Sequence, residues 1–304
     1  MSDDSGIAWA VEAHELVAVT GIDLGELSPE WAWGGATGAG VRVAIVDSGI
    51  EADHPALEGC VDVDSSVTVS LDDGGQPVVG HEHAGDAYGH GTACAGIIHA
   101  LAPDARLTSV AVLGRRLSGK ASVFHHGLAW AVDAGYDVIN LSLGTTKREW
   151  ALAFYELCDW AYFRNSIVVT AANNRPRASY PSLYASVVSV ACTDASDPRT
   201  LYWNPKPPTE FLACGIGVDV AWRGGTRVVE TGNSFAAPHV AGLAALVRSK
   251  HPQLRPAHVK AVLAAVATNV IGASAVRVPG RFSSVTREPA RPAGLTGGPI
   301  EPSV

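Results

Sequence analysis

Short apolar runs alternating with longer stretches of helical spacing set the plan of this chain. Val41-Arg42-Val43-Ala44-Ile45-Val46 is nearly all apolar, as a strand covered on both faces of a parallel sheet must be, and it stops at Asp47-Ser48-Gly49. Arg106 to Leu113, Asp137 to Leu143, Ser166 to Ala172, Val187 to Ala191 and Phe211 to Cys214 are further strand candidates. Among them, Val123 to Ala134 and Trp150 to Phe163 carry a helical period, and His258 to Val270 reads as a last helix. This alternation through short turns predicts an α/β fold with a mostly parallel central sheet, helices on both faces and right-handed crossovers. Asp62 to Gly85 is acidic and turn-rich and reads as a surface loop.

Three polar residues interrupt this pattern at telling places. Asp47 ends the first strand, at the sheet edge where chemistry gathers in open α/β folds. His90 stands between glycines immediately before a helix of small residues. Ser234 lies in Gly232-Asn233-Ser234-Phe235-Ala236-Ala237-Pro238-His239-Val240-Ala241-Gly242, at the mouth of a buried helix. Its hydroxyl sits in the positive end of the helix dipole, as a cap or as a nucleophile. His81, Glu82, His83, Asp86 and His90 invite a zinc reading, but no His-Glu-x-x-His spacing puts two ligands on one helical face, and no metal is expected.

With 304 residues, 47% hydrophobic and 17% charged, the chain can bury one large core. The expected organisation is an N-terminal arm or short pro-segment over 1–37, one domain over 38–280, and a Pro/Gly-rich, disordered tail over 281–304. A net charge of −8 argues against nucleic-acid or membrane partners. The acidic start, Met1 to Gly6, and the interruptions at Glu12, His14 and Glu15 do not make a secretory signal, and no apolar run is long enough to cross a bilayer. Five cysteines without paired spacing read as free thiols in a reducing compartment. A cytoplasmic location is the expectation.

Asp47, His90 and Ser234 occur in the order Asp, His, Ser, and their contexts are specific together. Val43 to Ile50, Gly89-His90-Gly91-Thr92 and Gly232 to Gly242 each resemble one active-site signature of the subtilisin-like serine proteases (subtilases, peptidase family S8), and Val138 to Gly144 also matches. The resemblance runs from about Val41 to Val270 and implies a three-layer subtilisin-like fold and a serine endopeptidase that needs no cofactor. It implies that His90 takes and returns the Ser234 proton, that Asp47 fixes the histidine tautomer, and that Asn174 and the Ser234 N–H hold the oxyanion. Ser142-Leu143-Gly144 and Leu117-Ser118-Gly119 would flank the substrate as neighbouring strands, with Ser179 at the floor of the primary pocket.

The chain also departs from the subtilisin pattern. The helix after His90 runs through His99-Ala100-Leu101 into Ala102-Pro103-Asp104 without the usual calcium-binding insertion, so no calcium is expected there. At most about 37 residues stand in place of a large folding pro-domain, and they read either as a packed N-terminal arm or as a short inhibitory segment. Asn233 replaces the usual threonine and is expected to donate toward the oxyanion while narrowing the site. Cys94 reads as a small buried apolar residue close enough to His90 for a mercurial to disturb it. Arg175, Arg177 and Arg115-Arg116 place positive charge near the cleft, which predicts acidic peptide or protein substrates. The expected role is a cytoplasmic processing protease that trims leader peptides, the alternative a broad intracellular turnover protease. A catalytically silent binding protein is disfavoured by the complete triad.

Overall fold

The computed structural model describes residues 27–206 and 208–270; the first 26 residues of the expected arm and the expected tail over 281–304 lie outside them. At its centre is β1 (Arg42–Asp47), which fits its nearly all-apolar sequence. Val43 and Ile45 join one core and Ala44 and Val46 the other, and all four are fully buried. Burying Val43, Ile45 and Val46 contributes about 1.5–3 kcal/mol each, and the single methyl of Ala44 less.

On the first face lie α1 (Pro29–Trp33), α2 (His90–Leu101), α5 (Asn233–Lys250) and α6 (Pro256–Ala265). On the second lie α3 (Ala121–Asp133) and α4 (Ala151–Phe163), with the Phe124 and Phe154 rings meeting between them at 4.5 Å, tilted by 36°. This is the three-layer arrangement expected. The sheet adds β2 (Val67–Leu71), β3 (Pro77–Gly80), β4 (Arg106–Ala111), β5 (Val138–Leu141), β6 (Ile167–Ala171), β7 (Val188–Thr193), β8 (Leu201–Trp203) and β9 (Phe211–Cys214). Their order is β3-β2-β4-β1-β5-β6-β7-β9-β8, parallel throughout except for the edge strands β3 and β8. Since β4 and β5 flank β1 on opposite sides, Asp47 stands where the strand order reverses, the place at which such sheets open a crevice.

Several elements differ from expectation. Asp62 to Gly85 contains the β2–β3 hairpin, which joins the sheet because Val67 and Val69 alternate inward. Its acidic residues Asp72 and Asp73 only make the turn, where Asp72 Oδ1 accepts from the Gln76 N–H at 2.8 Å. The last helix ends at Ala265 rather than Val270, because the Thr268 N–H leaves helical register to donate to Leu201 O of β8 at 2.7 Å. A second hairpin, β10 (Val218–Trp222) with β11 (Thr226–Glu230), covers α2 through Val220 and Ile97. Within the expected arm, the described residues 27–37 are anchored to the domain through buried Ala32 and Trp33. Ser28 caps α1 by accepting from the Trp31 N–H, Trp33 is buried, and Lys250 at the end of α5 donates to the carbonyls of Glu30 and Gly34.

Candidate active site

β1 delivers Asp47 to the carboxyl edge of the sheet with no solvent exposure. There the His90 Nδ1–H donates to its carboxylate, 2.8 Å from Oδ1 and 2.9 Å from Oδ2, and the Ser48 N–H donates to Oδ1 at 2.7 Å. His90 opens α2, which must approach β1 closely to make this bond. Gly91 permits it, because a Cβ there would lie 2.0 Å from Gly49 O. Gly89, at φ +121°, makes the turn beneath the Trp222 ring.

Asp86, cited in the sequence only as a discarded metal ligand, holds this corner. Its Oδ1 accepts from Ser48 Oγ (2.8 Å), the Tyr88 N–H (2.9 Å) and the Gly89 N–H (2.7 Å). Its Oδ2 accepts from the Thr92 N–H (2.9 Å) and Thr92 Oγ1 (2.6 Å). Ser48 Oγ in turn accepts from the Gly91 N–H at 3.1 Å, so strand end, loop and helix start are fastened together. The signal available in sequence was an acid just ahead of Gly-His-Gly-Thr, where first-turn N–H groups need an acceptor.

Ser234 is half-buried in the first turn of α5, while every other residue from Asn233 to Val247 is buried. First-turn N–H groups have no helical partner, which leaves the Ser234 N–H free for a ligand. Its carbonyl is free for a different reason. Pro238, four residues on, has no N–H to give, and Ser142 Oγ donates to Ser234 O instead, at 2.9 Å. Asn140 Nδ2 supports Ser142 Oγ at 3.0 Å. The Ser142 hydroxyl thus ties the nucleophile's helix to β5. Cys94 lies below, fully buried, with Sγ 3.4 Å from Ser142 Oγ, 3.8 Å from Asp47 Oδ2 and 3.9 Å from His90 Nδ1. Burial pushes its thiol up, so it stays neutral. Asp47, His90 and Cys94 are the only cluster of three potential metal donors among the described residues, and it is the catalytic pair with its neighbouring thiol.

The turn after β6 brings up Asn174. The Asn233 N–H donates to its Oδ1 at 2.9 Å, which fixes the orientation of the amide and leaves Nδ2 for another acceptor. Asn174 Nδ2 and Ser234 Oγ converge over buried Gly232, where a Cβ would lie 3.5 Å from the first and 3.4 Å from the second. The Asn233 side chain does not join them as expected. Its Nδ2 donates to the carbonyls of Ala172 and Asn173, both at 3.2 Å, and its Oδ1 accepts from the Cys192 N–H at 2.8 Å. The ends of β6 and β7 present unpaired backbone groups that claim this amide before an oxyanion can.

His90 and Ser234 open into a cavity of about 540 Å³, whose lining includes Ser118, Gly119, Ser142, Leu143, Gly144, Asn174, Arg175 and Ser179. Ser179 is buried and its Oγ pairs with Ser182 Oγ at 3.1 Å. Two backbone bonds between Thr145 and Tyr180, 2.9 and 2.8 Å, join the walls. Leu117 to Gly119 is not a strand here: the Gly114 N–H donates to Ser118 O at 3.1 Å and folds the segment into a turn along the rim. Arg177, Arg115 and Arg116 do not line the cavity, whereas Lys120 and Lys147, unremarked in the sequence, do. Among the described residues no carboxylate lines it.

Burial is the largest single influence on His90 and disfavours its charge, but the Asp47 carboxylate and the Cys94 beside it together outweigh burial and raise the histidine well above its ordinary value. With Nδ1–H committed to Asp47, Nε2 is the free base facing the cavity. No hydrogen bond joins it to Ser234 Oγ among the described residues; in free enzymes this contact commonly tightens only with substrate. The arrangement supports acyl transfer. Nε2 takes the Ser234 proton as Oγ attacks a carbonyl, and the oxyanion forms between the Ser234 N–H and Asn174 Nδ2. The imidazolium then protonates the leaving amine, and water resolves the acyl-enzyme by the same route.

Comparison with known proteins agrees with this chemistry. The sequence matches the Subtilase family (Peptidase S8) over residues 38–282. It is 34% identical to subtilisin DY of Bacillus licheniformis over 251 residues, covering 78% of this chain and 86% of that one. With subtilisin Savinase of Lederbergia lenta it shares 35% over 247 residues, again 78% and 86%. Among solved structures, a cold adapted subtilisin-like serine proteinase aligns at a TM-score of 0.60 and 23% identity, over 75% of this chain and 82% of its own. The triad geometry, the sheet that presents it and these matches lead to one assignment: the chain belongs to the subtilase family and is a serine endopeptidase.

Proposed function

We propose that this endopeptidase processes acidic peptide segments in the cytoplasm, removing leader sequences from small ribosomal peptides rather than degrading proteins broadly. One observation carries the reading. Apart from His90, the charged residues lining the cleft among the described residues are Lys120, Lys147 and Arg175, all positive, on a chain of net charge −8. The protein's general field repels acidic peptides while the cleft attracts them, which is how charge selects a partner rather than merely a surface. The five cysteines, all unpaired, fit a reducing compartment. No helix among the described residues is long and apolar enough to cross a membrane.

At exposed positions each favourable charge contact is worth about 0.2–1 kcal/mol. Three together give roughly a threefold to hundredfold preference for acidic over basic peptides, weakening as salt screens it. The test is cleavage of a mixed peptide library by the wild type and by Ser234→Ala, read by mass spectrometry. Narrow cutting beside Asp and Glu, absent in the mutant and relaxed by Lys147→Glu with Arg175→Glu, supports the proposal. Broad cutting indifferent to charge selects the turnover reading, and failure of Ser234 to label with a serine-directed phosphonate selects a silent binding protein.

A further inference from the structure

The residue before the nucleophile touches everything that places the oxyanion donor, although it does not face the oxyanion. Asn233 is buried, and its side-chain amide uses both N–H groups and its carbonyl on backbone: the carbonyls of Ala172 and Asn173 at 3.2 Å each, and the Cys192 N–H at 2.8 Å. Those contacts bridge the ends of β6 and β7 at the start of the turn that carries Asn174. The backbone N–H of Asn233 holds Asn174 Oδ1 at 2.9 Å. One residue therefore grips the turn twice, through side chain and main chain, and is covalently joined to Ser234. A threonine at this position has one hydroxyl and could satisfy at most part of this set.

We infer that Asn233 is a positioning residue: its amide locks the Ala172–Asn173 backbone so that Asn174 Nδ2 and the Ser234 N–H keep a fixed spacing, and the oxyanion hole works with these two donors. The inference rests on Asn174 serving as an oxyanion donor. Asn233→Ala leaves the Cys192 N–H and two carbonyls without partners, and a displacement of about 1 Å at such a site costs on the order of a hundredfold in rate. Because the strut acts through Asn174, its removal costs little once Asn174 is gone, as expected for residues that work as one unit.

The experiment measures kcat and KM on a peptide anilide for Asn233→Ala, Asn233→Ser, Asn174→Ala and the Asn174→Ala/Asn233→Ala double variant, with inhibition by a peptide aldehyde and by the product peptide. Asn233→Ala should lower kcat about tenfold to a hundredfold, with KM within about threefold. Aldehyde affinity should fall in parallel and product affinity should not. In the Asn174→Ala background the further loss should be under about threefold. Should Asn233→Ala fail to fold, Asn233→Ser, whose hydroxyl can serve one carbonyl, carries the same comparison with a smaller loss. Losses that multiply in the double variant, or a change confined to KM, overturn the inference while leaving the Asn174 assignment standing. A normal kcat in Asn174→Ala alone overturns both.

Discussion

Asp86 offers the sharpest test of how the histidine is held. Five donors converge on its two oxygens, three on Oδ1 and two on Oδ2, at 2.6 to 2.9 Å. Hydrogen bonds to a charged group each contribute about 1.5–3 kcal/mol, so simple addition gives roughly 7–15 kcal/mol. That sum is too large. The carboxylate is half-buried, water can reach part of the vacated space, and bonds in one network do not add. Asp86→Ala should therefore cost about 3–5 kcal/mol, a large share of a stability of about 5–15 kcal/mol. Asp86→Asn separates the two oxygens. Its carbonyl can keep the Ser48, Tyr88 and Gly89 donors, but its NH₂ then faces the Thr92 N–H, so the loss should be smaller, about 1–3 kcal/mol. Urea unfolding in a Ser234→Ala background, where self-digestion cannot intrude, measures both, and kcat in the active protein should fall in the same order. A loss below about 1 kcal/mol for Asp86→Ala refutes the reasoning, and equal losses for the two variants refute the division between the oxygens.

The Asp47–His90 pair makes activity and stability run in opposite directions with pH. Because the folded histidine titrates above its ordinary value of 6.5, the pair's stabilisation is complete below that value and is lost as pH rises through the folded pKa; kcat/KM, which needs neutral Nε2, rises over the same window. Asp47→Asn should move the acid limb of a pH–rate profile downward and lower kcat on the order of 10⁴-fold, a figure carried over from another serine protease; an unmoved limb would count against the assignment. Cys94, buried and neutral, should react slowly with a mercurial and inactivate the enzyme by pressing on His90. Cys94→Ala should be immune, and full activity after stoichiometric labelling of Cys94 would remove that expectation.

What was legible in the sequence was whatever repeats locally. The strands of the parallel core announce themselves as apolar runs, and the triad residues sit at their ends or at helix starts, so Asp47, His90 and Ser234 could be found without coordinates. The β2–β3 hairpin was hidden because only Val67 and Val69 face inward in a stretch dominated by turn residues. Asp86 was overlooked although four of its five donors lie within the next six residues; only Ser48 Oγ, which fastens it to the end of β1, is brought in by the fold. Lys120 and Lys147 were missed and Arg177 misplaced for one reason: sequence distance from a catalytic residue does not say which side of a turn faces the cleft. Asn233 shows the limit in chemical terms, since its donor capacity was correctly read but the backbone groups competing for it belong to strands dozens of residues away.

The burial of α5 has a consequence for when the enzyme becomes dangerous. The helix that carries Ser234 is covered by β5, β6, β7, β9 and α2, and roughly 190 residues separate its nucleophile from Asp47. At synthesis rates of about 5–20 residues per second, that interval lasts roughly 10–40 s. Within it the emerging polypeptide gains first the acid and then the base of a protease, still without the hydroxyl they serve. Cutting power thus requires α5 to be seated against β5, β6, β7 and β9, all of which precede it in the chain.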